Sequence, residues 1–189
     1  MEDIRKNDEF IVDIIDYGAD GEGIAKINGY TIFVIGALKG EKCKIHILKV
    51  LKTHAFAKII EIIIKSDKRV EPDCTTFNRC GGCDLRHITY NETLKIKQEK
   101  VQNLVNKMLK NKIKVNSTIG MDEPIYYRNK AIFPVTKENE VGIFAKRSHN
   151  VIPINECKIQ TKISQDIAKY ILENWTDSIY DENTRKRFT

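Results

Sequence analysis

The sequence predicts a mainly β protein with an α+β second half, in which an OB-like five-stranded β-barrel precedes a small α+β domain built around cysteines. Three observations predict it. Strand-length alternation of apolar and polar residues, punctuated by glycine turns, fills the first third of the chain. A Cys-x5-Cys-Gly-Gly-Cys loop follows a polar stretch, and helix-period stripes occur only after that loop. The 189 residues suffice for one ordinary domain or two small ones.

The barrel is expected over residues 1–66. Phe10 to Asp16 alternates, and Gly18, Gly21 and Gly23 punctuate a turn. Asn28-Gly29 marks a hairpin because both residues tolerate the positive φ of a type I′ turn, which makes Tyr30 to Ile35 the return strand. Lys42 to Leu51 sets Cys43, Ile45 and Ile47 against Lys42, Lys44 and His46, as a half-buried strand does, and Phe56 to Ile64 is the last strand. Closing the strands on themselves removes exposed edges.

The second domain is expected over residues 67–189. Ser66 to Asp73, polar and ending near Pro72, is the linker. Thr89-Tyr90-Asn91-Glu92 has the form of a capping box, so a helix follows, with Leu94, Val101, Leu104, Val105 and Met108 as its core stripe. Short strands are expected over Tyr126 to Val135, Val141 to Ala145 and Val151 to Ile154, with a turn at Lys137 to Glu140. A second helix from Ser164 to Trp175 would bury Ile167, Ile171 and Trp175, and the tail from Asp177 to Thr189 has no packing pattern of its own.

Charge points to a polyanionic partner. Charged residues make up 31% of the chain, with a net charge of +6. Lys39, Lys42, Lys44, Lys49, Lys52 and Lys58 crowd a stretch in which Glu41 is the sole acid, and such a face on an OB-type barrel suits RNA phosphates. A solvated strand face is the plainer reading. Arg128, Asn129 and Lys130 enter one strand of a predicted hairpin while Arg147 and His149 leave the other, so these groups could meet on one RNA-facing rim, or simply form a turn with ion pairs. No apolar run approaches membrane-spanning length, and Met1 opens no apolar signal segment, so a cytoplasmic address is expected.

Cys74, Cys80 and Cys83 form a loop in which Gly81 and Gly82 let backbone approach bound sulfur closely, and Cys157 would close the set. Disulfides are disfavoured in a reducing compartment, and Cys43, alternating with lysines, reads as a core thiol. A metal or cluster cradle is the better reading. Structural zinc usually shows paired Cys-x2-Cys knuckles, present here once, whereas an all-thiolate set with one distant member suits a [4Fe-4S] cluster at least as well. The spacing leaves both open.

Gly21-x-Gly23-Ile24-Ala25, Phe33-Val34 and Gly40-Glu41 resemble a TRAM domain, and Arg69-x-x-Pro72-x-Cys74 leading into Cys80-Gly81-Gly82-Cys83 resembles the cluster loop of RNA uridine-5-methyltransferases. Tyr127 to Lys130, Arg147 to His149 and Cys157 follow in that family's order. The resemblance implies a TRAM barrel that binds RNA and a central domain whose Cys74, Cys80, Cys83 and Cys157 hold a [4Fe-4S] cluster, with the 23S ribosomal RNA branch the better match. The family methylates with a SAM-binding Rossmann domain and a late nucleophilic cysteine. No cysteine follows Cys157 and no Gly-rich strand-to-helix turn is present. Thr189 therefore reads as a truncation point, and the expectation is a piece that positions RNA without methylating it.

Overall fold

The computed structural model of the chain describes residues 4–109, 113–136, 138–174, 179–181 and 186–188. They fall into two compact units, one made of Met1–Asp73 with Cys83–Asp122 and the other of Cys74–Gly82 with Glu123–Thr189.

In the first unit, β1 (Glu9–Asp13), β2 (Asp16–Tyr17), β3 (Gly23–Ile27), β4 (Tyr30–Ile35), β5 (Lys42–Val50) and β6 (His54–Ile64) form one sheet in the order β1-β5-β6-β4-β3-β2. Pairings are antiparallel apart from β4 with β6. Six strands stand where five were expected, because the predicted Phe10 to Asp16 strand breaks at Ile14 and Ile15. These two residues carry the chain from the first edge strand to the last, donating backbone N–H groups to Glu41 O and Ile24 O at 2.8 Å each, and so close the barrel.

Inside the barrel, Ile32, Val34, Cys43, Ile45, Ile47, Ala55 and Ala57 are completely buried. Burial pushes the Cys43 thiol up to about 11, with Glu41 adding to the rise, which leaves it an inert core residue. Asn28 and Gly29 adopt φ of 50° and 82°, the left-handed pair that the β3–β4 hairpin needs.

The helix that sequence reading assigns to the second domain, α1 (Tyr90–Met108), packs within the first unit. Ile96 joins Leu38 and Ile88 in a small buried cluster, flanked by Tyr17 and Leu85. Two expectations fail here. Thr89 makes no side-chain cap; its N–H donates instead to Lys68 O at 2.8 Å, so the capping box does not form. Of the predicted stripe, Val101, Leu104 and Met108 are exposed, because the barrel covers only the early turns and the buried positions are Thr93 and Ile96. Residues 113–115 line the later turns through Gln98 and Gln102, whose amides donate to Val115 O and Ile113 O.

The second unit carries the hairpin β7 (Gly142–Phe144) and β8 (Val151–Pro153), the helix α2 (Lys162–Asn174), and the paired β9 (Ile179–Asp181) and β10 (Lys186–Phe188). Val141, Ile152, Ile154 and Ile159 are buried in it. Ile167 and Ile171, predicted as core, are 52% and 45% exposed, since α2 turns Gln165 inward instead. Trp175 and Lys137 lie outside the described residues, as does most of the predicted tail.

Candidate nucleic-acid interface

The register of β1 against β5 decides which barrel lysines have charge to offer. Ile11 sits opposite Lys44 and Asp13 opposite Lys42, so the acids of β1 flank the lysines of β5. Lys44 Nζ pairs with Glu9 at 2.8 Å, Lys42 with Asp13 at 3.9 Å and Lys39 with Asp16 at 3.5 Å. The Lys44 hydrogen bond and charge hold the Glu9 carboxyl below its ordinary value, and Glu9 in turn raises the Lys44 ammonium. Lys49, Lys52 and Lys58 are exposed and make no ion pair among the described residues. The structure thus splits the predicted basic face into a part neutralised by acids of β1 and β2 and an open part on β5, β6 and the turn between them.

Beside that open part lie three rings. Phe33 on β4 and Phe56 on β6 are register partners, stacked at 5.6 Å with 28° between planes. His54 meets both edge-on, at 5.3 and 5.2 Å. All three are half-buried on the outer face of strands whose alternate residues line the core. Lys49 is the register partner of Phe56 on the other side. The turn between β5 and β6 is pinned by Leu51 N–H donating to His54 O at 2.9 Å and by the Tyr30 hydroxyl donating to Leu51 O, which fixes where Lys52 stands.

At the far end of β5, Glu41 is buried with its carboxylate fully partnered. It accepts from Leu38 N at 2.8 Å, Ser66 N at 3.3 Å, Arg69 Nε at 2.6 Å and Arg69 Nη2 at 2.8 Å. Burial alone would raise its pKa, but the Arg69 hydrogen bonds and charge with the backbone donors outweigh it and hold the carboxyl below its ordinary value.

In the second unit the Cys74–Gly82 segment coils through tight turns, with Cys80 N–H donating to Thr76 O at 2.8 Å and Gly81 N–H to Phe144 O at 3.0 Å. Burial raises the Cys80 thiol, the Gly82 N–H at 3.2 Å from its sulfur opposes that, and the neighbouring Cys157 and Cys74 thiols push it up further. Three of the four predicted ligands are therefore electrostatic neighbours, and their donor type fits a thiophilic metal or cluster. They do not form a closed cage: among the described residues no group of three or more His, Cys, Asp or Glu side chains stands ready to hold a metal ion. Cys83 belongs to the other unit.

Gln165 sets the position of Cys157. Its Oε1 accepts from Cys157 N at 2.7 Å and its Nε2 donates to Cys157 O at 2.9 Å and Gln160 O at 3.0 Å. The predicted rim takes a different course. Backbone pairing of the hairpin runs from Pro134 and Val135 to Val141 and Gly142, while Arg128 pairs with the 159–161 segment, so Arg128, Asn129 and Lys130 are not laid opposite Arg147. Arg147 turns at φ 53°, and His149 packs on Phe144 at 5.7 Å between ring centres.

With this geometry established, residues 6–60 match the TRAM domain family. The matched stretch spans β1 to β5 and most of β6, and so contains both the neutralised and the open lysines and the three rings.

The chain is also 40% identical, over 97% of its length and 41% of the relative's, to an uncharacterized RNA methyltransferase of Clostridium tetani, and 39% identical, over 98% of its length and 42% of the relative's, to one of Staphylococcus epidermidis. It is homologous to these RNA methyltransferases almost from end to end, yet spans about two fifths of their length. Among solved structures, the tRNA (uracil-54, C5)-methyltransferase of Pyrococcus abyssi in complex with S-adenosyl-L-homocysteine shares the fold, with a TM-score of 0.62 at 20% identity over 94% of this chain and 40% of that one. Among the described residues no helix is long and apolar enough to cross a membrane.

Sequence reading missed two features around the barrel and the cysteine loop. The ring trio was not read as a unit because Phe33 and Phe56 are brought together only by the parallel β4–β6 pairing. The inward-facing Gln165 carried no periodic signal, because the apolar positions Ile167 and Ile171 that set the helical period lie on the exposed side of α2.

Proposed function

We propose that the chain is the RNA-gripping part of a SAM-dependent RNA uracil-5-methyltransferase acting on 23S ribosomal RNA in the cytoplasm. The observation that carries it is the homology of nearly the whole chain with part of RNA methyltransferases, joined to a TRAM-like barrel in which Lys49, Lys52 and Lys58 have no acidic partner among the described residues. SAM supplies the methyl group, and the chemistry belongs to sequence that the relatives have beyond the stretch these residues match. A uracil that is to be methylated at C5 must leave its stack, so the surrounding strand has to be held while it does. Exposed ammonium groups on the TRAM domain hold phosphates, and the Arg128–Lys130 segment with Arg147 and His149 contributes orientation.

Cys74, Cys80, Cys83 and Cys157 would hold a [4Fe-4S] cluster, whose contribution is to clamp the chain segments that carry them. Protein purified anaerobically should then contain iron and sulfide, and zinc without iron would replace the cluster with a zinc site. For the RNA reading, anisotropy titrations with 23S ribosomal RNA hairpins and with tRNA should show tighter binding to the former. Preference for tRNA would overturn the ribosomal target, and SAM-dependent methyl transfer by these 189 residues alone would overturn the assignment of chemistry elsewhere.

A further inference from the structure

We propose that Phe33, Phe56 and His54 form a stacking platform for bases of single-stranded RNA on the outer face of the TRAM barrel. This rests on the RNA-binding reading above and deepens it by separating where bases are held from where phosphates are held. The barrel interior does not call for these rings. Ile32 and Val34 on β4, with Ala55 and Ala57 on β6, are completely buried and fill the core from the same two strands. The period of two then places Phe33, His54 and Phe56 on the opposite side, where a β-sheet surface usually carries polar residues.

Their arrangement suits flat ligands. The Phe33 and Phe56 rings lie 28° from parallel and 5.6 Å apart, so they present a nearly continuous aromatic strip, and His54 braces it edge-on. Thr53 Oγ1, 3.0 Å from His54 Nδ1, sets the imidazole plane. Each ring is only half-buried.

Charge beside the strip selects the occupant. Lys49 is the register partner of Phe56, Lys58 lies two residues along the same strand face, and Lys52 sits at the adjoining pinned turn. A row of rings bordered by unneutralised ammonium groups matches a strand whose bases and phosphates alternate, because bases stack on any π face while phosphates take lysines. Lys44, Lys42 and Lys39 already pair with Glu9, Asp13 and Asp16, whereas Lys49, Lys52 and Lys58 beside the rings have no ion pair among the described residues.

The test uses the 189-residue chain, a short oligouridylate and an abasic ribose-phosphate strand of equal length. Phe33→Leu and Phe56→Leu should each weaken oligouridylate binding roughly ten-fold while leaving abasic-strand binding, the salt dependence and the unfolding midpoint unchanged. Ring-proton resonances of Phe33 and Phe56 should move on addition of oligouridylate and stay still on addition of the abasic strand. Equal affinity of the wild type for both strands, or full affinity in both leucine variants with unmoved ring protons, would overturn the platform and leave the rings as packing for the β4–β6 seam, with the RNA reading intact. Failure of the wild-type chain to bind any RNA would overturn that reading and the platform with it.

Discussion

Arg69 grips Glu41 with two nitrogens, Nε to Oε1 at 2.6 Å and Nη2 to Oε2 at 2.8 Å, and the Glu41 side chain is wholly shielded from solvent. The same Nη2 donates to Gly36 O at 2.6 Å, so one guanidinium ties the linker after β6 to the turn between β4 and β5. Removing one member leaves a buried charge without its partner. Arg69→Met is expected to destabilise the first unit by about 3–5 kcal/mol, measured by urea denaturation. A loss under about 1 kcal/mol would mean that Leu38 and Ser66 N–H groups suffice for the carboxylate.

The same pair sets an acid limit. Because the folded-state pKa of Glu41 lies below its ordinary 4.5, its ionised form is stabilised by folding. That contribution is fully present above the ordinary value and declines as pH falls through the folded-state value. The unfolding free energy of the wild type should therefore drop in acid, and Glu41→Gln should be less stable at neutral pH with a flatter dependence below the ordinary carboxylate range. A Gln variant with the same acid slope would assign the loss to other carboxylates.

The split among the lysines predicts unequal mutational effects. Lys49→Gln with Lys52→Gln should lower the salt slope of single-stranded RNA binding by roughly 1.4, whereas Lys42→Gln with Lys44→Gln should change it by much less, because Asp13 and Glu9 already neutralise those ammonium groups. Equal slopes in the two double variants would show that the β1 acids release their partners on RNA binding.

Gln165 is expected to hold Cys157 in place. Gln165→Ala deprives the Cys157 N–H and C=O of partners, which should cost about 1–3 kcal/mol in the second unit and speed amide exchange at Cys157. Unchanged exchange at Cys157 would show that the loop is held by other contacts. Helix α1 offers a matching contrast: Ile96→Ala should cost about 2–5 kcal/mol and Leu104→Ala less than about 0.5 kcal/mol, the reverse of what the helical stripe suggests.

Local chemistry was readable without a structure. The alternation of Cys43, Ile45 and Ile47 with lysines depends only on the pleat of one strand, and Asn28-Gly29 depends only on which residues accept positive φ, so the barrel and its hairpin followed from neighbours in the chain. The motifs that resemble a TRAM domain were legible for the same reason. Partner choice was not. Which lysines keep open charge depended on β1 lying beside β5, and the helix stripe of α1 had the right period while the barrel covered only its first turns. Thr89 N–H donates to Lys68 O in place of the Glu92 carboxylate that a capping box would use. Glu41 and Arg69, Phe33 and Phe56, and Cys157 and Gln165 each join positions that no local pattern links, because a contact between distant residues is decided by how strands register and where helices land.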